Sequence, residues 1–235
     1  MIAVFVNMGT VFVGSLLGIF LRSRLRESLQ NALLTALGLC TAVIGVMSAI
    51  ATDNILCVII CMAVGTALGE LLRIDDGIEN AGEFFRKKLV KNDSGSSRFT
   101  EGFVSACILF CIGSMTIVGS LEAGLHRDYS IIFAKSTLDF VSSMALGAAM
   151  GYGVTCSVVF ILFMQGGITL LAGLAAPALS DAVVTEMSAI GGTILIGMAC
   201  NMLDLGSKRI KVSNMLPAIF LPILYFPIYN WIQSL

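Results

Sequence analysis

Eight long apolar runs fill this 235-residue chain, and most of its positive charge is gathered in three places between them. The runs are residues 2–21, 29–51, 55–72, 102–120, 130–150, 154–176, 182–203 and 215–231. Each is near the roughly 20 residues that an α-helix needs to cross a hydrocarbon core. Twelve of the fourteen Lys and Arg residues lie in three stretches. These are Arg22, Arg24 and Arg26; Arg73, Arg86, Lys87, Lys88, Lys91 and Arg98; and Lys208, Arg209 and Lys211. Cytoplasmic loops of membrane proteins carry such an excess of Lys and Arg. The pattern predicts an all-α, polytopic integral membrane protein, a single transmembrane domain over residues 1–235 with about eight transmembrane helices.

Composition agrees. The chain is 57% hydrophobic and 12% charged, with a mean hydropathy of +0.95. A soluble domain is usually about 25% charged, so this chain lacks the polar groups to cover a soluble surface. A net charge of −1 gives no sign of a nucleic-acid partner; the basic residues read as topological. The expected surroundings are membrane lipid.

Alternate loops of a multispan protein face the same side, which fixes an orientation. With the three basic stretches inside, both the N-terminus and the C-terminus fall outside. The first run has no basic residue before it and reads as a retained span rather than a secretory signal. The longest link, residues 74–100, is then a cytoplasmic linker. Its residues 75–89 place Ile78, Ala81, Phe84, Phe85 and Leu89 at helical spacing, with acids early and Arg86, Lys87 and Lys88 late. That is an amphipathic helix matched to its own dipole and suited to an anionic leaflet. Residues 92–97 (NDSGSS) read as a flexible break.

A weak internal similarity runs through the chain. Thr35-Ala36-Leu37-Gly38 in the second span aligns with Ser188-Ala189-Ile190-Gly191 in the seventh. If spans one to three match six to eight, the offset is five spans, and an odd offset reverses orientation. Such an inverted repeat is typical of secondary transporters. Small and apolar residues also align by chance between membrane helices.

Few residues inside the runs carry chemistry. Lys135 and Asp139 lie in the fifth span, i and i+4, hence on one helix face. Ionisable groups at that depth usually line a cavity or pair with one another. The pair reads as a proton or ion site, or as a structural ion pair, with Ser136, Thr137, Ser142 and Ser143 beside it. Gln165, Gly166 and Gly167 occupy the middle of the sixth span. Two glycines weaken a helix there, and an unwound midplane helix is where transporters bind substrate; close helix packing explains them equally well. Asn7, in the first span, faces this region in a repeat-based arrangement. Glu70 is expected to pair with Arg73, and Glu101 to be a solvated acid at a helix start.

Three G-x-x-x-G pairs, Gly14/Gly18, Gly65/Gly69 and Gly147/Gly151, allow helices to approach closely. Packing within the chain is the first reading, a homodimer face the second. Pro217, Pro222 and Pro227 should kink the last span. The seven cysteines all lie in apolar runs, and none forms a C-x-x-C pair. Cys57/Cys61 and Cys107/Cys111 each share a helix face, which could suit Cu(I). With one His and no charged helper, they read as apolar filler. No metal, cofactor or catalytic residue is therefore expected. G-x-S-x-G and H-E-x-x-H are absent, and the single histidine, His126, falls in an outer loop, so an enzyme is not expected.

Several longer stretches carry a resemblance: GSLLG (14–18), ALGLC (36–40), GELL (69–72), EGFVSACILFCIGSMTIVGSLEAGL (101–125), FAKSTLDFVSS (133–143), QGGITLLAG (165–173), LSDAVVTEMSAIGG (179–192) and NMLPA (214–218). In these the chain resembles the YdfK/YqgA family of bacterial inner-membrane proteins, a domain of unknown function. The resemblance implies a multispan membrane location and supplies no binding residues. The residues themselves point first to a secondary transporter or exchanger of a small ion or metabolite, with Na⁺ or H⁺ coupling. A passive channel and a non-transport scaffold or sensor are the alternatives.

Overall fold

A computed structural model gives the structure, which describes residues 1–22, 27–78, 80, 96–111 and 114–233. Arg24, Arg26 and linker residues 79 and 81–95 lie outside the described residues, including most of the expected helix at 75–89.

The described chain is helical throughout: α1 (Ile2–Arg22), α2 (Glu27–Ala49), α3 (Ile55–Leu71), α4 (Ser96–Cys111), α5 (Ser114–Leu125), α6 (Ser130–Met150), α7 (Tyr152–Ile161), α8 (Asp181–Met202) and α9 (Pro222–Gln233). A π-helical turn, Leu162–Gly166, extends α7 into two single α-turns, Gly167–Leu170 and Ala172–Ala175. A 3₁₀ segment, Val212–Phe220, leads into α9. Ser96 and Ser97, read above as part of a flexible break, already belong to α4.

Four helical stretches are long and apolar enough to cross a membrane: Ile2–Arg22, Ser130–Met150, Tyr152–Leu170 and Asp181–Met202. Two bent pairs raise the number to six. Phe99–Cys111 with Met115–Leu125 bends by 57°, and Val212–Phe220 with Pro222–Trp231 by 43°. Leu34–Ala49 and Ile55–Leu71 are apolar but shorter. The fourth run, expected to be continuous, is thus two helices at an angle. Thr116 Oγ1 donates to the Phe110 carbonyl (3.0 Å) across the break, satisfying a group that the helix end releases. The last run bends at the prolines, which remove backbone donors and clash with the preceding turn.

Burial is inverted relative to a soluble protein. Leu71, Phe163 and Leu174 are 81%, 73% and 80% exposed, whereas Asn7, Gln165 and Glu186 are at most 1% exposed. An apolar exterior around a polar interior is what lipid as solvent demands.

Backbone approach through glycine sets the packing. Helix α1 lies against α6, α2 against α8, α3 against the 3₁₀ segment and α4 against α7. A Cβ on Gly18 would sit 2.1 Å from the Met144 carbonyl oxygen, and one on Gly147 would sit 2.5 Å from that of Ser15. On Gly69 it would sit 1.9 Å from the Asn214 oxygen, and on Gly153 2.0 Å from that of Phe99. The three G-x-x-x-G pairs thus include residues consumed by packing within the chain. Gly151 has a second role. Its φ of +81° turns the chain between α6 and α7 in one residue, a conformation that only glycine adopts freely. At the other end of α6, Asp128 accepts from the Ser130 hydroxyl and backbone N–H, which hold its carboxyl below the usual carboxylate range.

Candidate functional site

Four of the six residues picked from the sequence meet in one buried cluster. Lys135 Nζ donates to Asp139 Oδ2, one turn away on α6. From α1, Asn7 Nδ2 donates to Asp139 Oδ2 and to Gln165 Oε1, at 3.1 Å each. Three non-adjacent parts of the chain therefore join in one network, in which Gln165 reaches Asp139 only through Asn7. The Gly14/Gly18 and Gly147 contacts bring α1 close enough to α6 for the short Asn7 side chain to reach.

The carboxylate fixes the amide orientations. An ionised Asp accepts only, so Asn7 must present its NH₂. Gln165 must then present its oxygen to Asn7. This leaves Asn7 Oδ1 and Gln165 Nε2 buried without a protein partner, one acceptor and one donor. Buried polar groups are nearly always satisfied, so two such atoms in one cluster call for an explanation.

Gln165 lies within the π turn, and Gly166 closes it. The expectation of an unwound helix is corrected here. Gly166 and Gly167 both keep right-handed helical dihedrals, and the helix widens instead of opening. Single π turns recur at functional sites because they rotate side chains out of the regular helical order. Gly167 has nothing within 4 Å of where a Cβ would stand, so it touches neither Asn7 nor Asp139 through a close backbone approach.

A cleft of about 520 Å³ reaches the cluster. Lys135, Asp139 and Ser142 of α6 line it, with Ser48 of α2 and Thr185 and Ser188 of α8. Asn7 and Gln165 are not on its wall, since they stand behind Asp139. The Ser188 hydroxyl is buried without a partner beside it. Lys135 Nζ also lies 5.8 Å from the centre of the Phe110 ring, a cation–π distance.

Other polar residues serve as joints. Glu186, 1% exposed, accepts from Thr52 Oγ1 (2.7 Å) and from the backbone N–H groups of Asp53 and Asn54 (2.9 Å each). It ties α8 to the α2–α3 turn. A carboxylate in an apolar run with no Lys or Arg in reach along its own helix was the available signal for this joint. Glu70 pairs with Lys211 at 3.9 Å and accepts from Asn214 Nδ2. The expected Glu70–Arg73 pair gives way because Arg73 leaves the helix at φ 50°. Glu101 is half-buried and faces Arg209 at 3.7 Å; it is no simple solvated acid. Cys57 and Cys61 have their Sγ atoms 3.8 Å apart. Among the described residues, no group of three or more His, Cys, Asp or Glu side chains gathers as a metal would require.

Comparison with known proteins yields one family and two curated relatives. The family described as "Protein of unknown function (DUF554)" matches residues 2–227. The chain is 28% identical over 222 residues to the "Uncharacterized membrane protein YdfK" of Bacillus subtilis (strain 168), covering 92% of this chain and 91% of that one. It is 29% identical over 221 residues to the "Uncharacterized protein YqgA" of Escherichia coli (strain K12), covering 92% of each. No solved structure matches.

Proposed function

The chain belongs to this DUF554 family, and we propose that it is a secondary transporter or exchanger of a small ion or metabolite across the bacterial inner membrane. The observation that carries the reading is the buried Lys135–Asp139 pair at the wall of a largely apolar cleft that also carries Ser48, Ser142, Thr185 and Ser188, backed by two amides with unused atoms. An ion pair held only for rigidity needs neither the cleft nor the unused amide groups. Ionisable residues inside membranes typically mark ion pathways and proton relays.

The arrangement suggests how binding couples to the helix. A cation or proton on Asp139 releases Lys135. A protonated Asp139 becomes a donor, and Asn7 must turn its Oδ1 toward it. Gln165 then has to follow, inside the π turn. The charge on one carboxylate is thus relayed to the least regular part of α7. These groups bind and relay; the reading assigns none of them to catalysis.

Orientation and repeat belong to the same proposal. Arg22, Lys208 and Arg209 face the cytoplasm, eight spans cross, both termini lie outside, and the cleft opens near the outer ends of α2 and α8. The element pairing supports an inverted repeat of spans one to three and six to eight. The α2–α8 pair and the pair of α3 with the 3₁₀ segment would each map onto themselves, while α1–α6 and α4–α7 would exchange.

Thermal unfolding of purified protein tests the site. Wild type should shift its midpoint with Na⁺ or with pH, and Asp139→Asn should lose that response while remaining folded. An identical response in both proteins would remove Asp139 from the site and leave a structural ion pair in a scaffold.

A further inference from the structure

Two cavities at opposite ends of the molecule share helices α4 and α8, and α6 lines the first of them together with α2. The cleft described above is lined by Leu109 at the end of α4, by Lys135, Asp139 and Ser142 of α6, and by Thr185, Ser188 and Leu195 of α8. At the end that carries Lys208 and Arg209, a polar cavity of about 320 Å³ is lined by Glu101, Cys200, Asn201 and Arg209. Between them, a void of about 20 Å³ touches Glu101, Ser105, Met150, Met198 and Asn201. That is room for about one water molecule.

The lining positions follow helical stripes. On α6, Lys135, Asp139 and Ser142 recur at i, i+4 and i+7, and Met150 lies on the same face. On α8, Ser188, Leu195, Met198 and Met202 recur at i, i+7, i+10 and i+14. On α4, Glu101, Ser105 and Leu109 recur every four residues. Residues at these spacings lie one above another along a helix. On α4 and α8 a single face therefore runs from one cavity to the other, and on α6 it runs from the cleft to the small void at Met150.

We infer that the space between α4, α6 and α8 is the translocation path, interrupted by an apolar seal of Leu146, Leu195, Met150 and Met198. All four seal residues are buried, at 2–4% exposure. Leu146 stands between Ser142 and Met150 on the α6 stripe. At the seal, a Cβ on Gly102 would lie 2.9 Å from Met150 Cβ, so α4 packs tightly against α6 there. The Lys135–Asp139 pair sits on the wall of one vestibule. The Glu101–Arg209 pair, with Asn201 bonded to both the N–H and the carbonyl of Ile210 (2.8 Å each), closes the other. This inference rests on the transport reading and adds the route and the barrier. A hydrated ion meeting four apolar side chains in a dry gap is stopped until the helices separate, since desolvation of a charge there is uncompensated.

Side-specific thiol labelling in sealed right-side-out and inverted vesicles tests it. Single cysteines are added to the full chain as Ser188→Cys, Ser142→Cys or Leu146→Cys. A charged, membrane-impermeant maleimide is applied, and labelled sites are mapped by peptide mass spectrometry. Native Cys200 reports on the second vestibule. The expected result is labelling of Ser188→Cys and Ser142→Cys from one face only, of Cys200 from the opposite face only, and of Leu146→Cys from neither. Silence of both serine-site cysteines from either face overturns the route, and so does reaction of Cys200 from the same face as they do. Free labelling of Leu146→Cys overturns the seal. Labelling is read independently of the Asp139→Asn cation response, so failure of the route and failure of the ion site are distinguishable.

Discussion

Replacing Glu186 by Ala should destabilise the protein far more than replacing it by Gln. Glu186 is buried and accepts three hydrogen bonds at the α2–α3 turn. Ala leaves the Asp53 N–H with no acceptor. The Asn54 N–H keeps only its 3.1 Å bond to Thr52 Oγ1, and the Thr52 hydroxyl loses its own acceptor. A buried donor left without a partner costs about 1–3 kcal/mol. With one group orphaned and two partly so, and with water able to reach the exposed Asp53, the cost should be at most about 3 kcal/mol. For a chain of this size that corresponds to a fall of about 6–12 °C in the unfolding midpoint. Gln keeps an oxygen for the two backbone donors and offers its NH₂ to Thr52 Oγ1, which can accept. It loses charge assistance alone, about 1 kcal/mol, or about 2–4 °C. The assay is thermal unfolding in one detergent, followed by the fluorescence of Trp231 and by aggregation. Equal shifts for Ala and Gln, or an unchanged midpoint for Ala, would refute the argument that Glu186 acts as an acceptor for the turn.

The glycines make a paired prediction. Gly18→Ala should cost about 1–3 kcal/mol through forced separation of α1 from α6, whereas Gly167→Ala should be neutral or stabilising by up to about 1 kcal/mol; thermal unfolding of the two variants checks both. For orientation, reporter fusions at Lys91 and Lys208 should read cytoplasmic and a fusion at Leu235 external; a cytoplasmic Leu235 would make the span count odd.

The membrane class and the helical content were legible because they depend on run length and charge placement, both local properties. The Lys135–Asp139 pair was legible for the same reason, since i, i+4 spacing within one helix brings it together. Asn7 and Gln165 stood out only as lone polar residues in apolar runs. Their hydrogen bonds to one another and to Asp139 depend on how α1 seats on α6, which no single run encodes. The bend between Cys111 and Ser114 was hidden because apolar residues continue through it, and hydropathy does not register direction. Glu70 and Glu101 were misassigned for a related reason. Their partners, Lys211, Asn214 and Arg209, lie more than a hundred residues away, while the expected neighbours were chosen by proximity in the chain. Gly166 and Gly167 suggested a broken helix, yet the neighbouring backbone tolerates a wider turn at lower cost than two open ends buried in lipid.

The most direct test of the central claim is ion-gradient-driven uptake into sealed proteoliposomes, wild type against Asp139→Asn, with a Na⁺ or a pH gradient imposed. The account predicts uptake in wild type that collapses when the gradient is dissipated, and no gradient-dependent uptake in Asp139→Asn despite normal insertion and side-specific labelling at Ser188→Cys. Equal, gradient-dependent uptake by both proteins would contradict it.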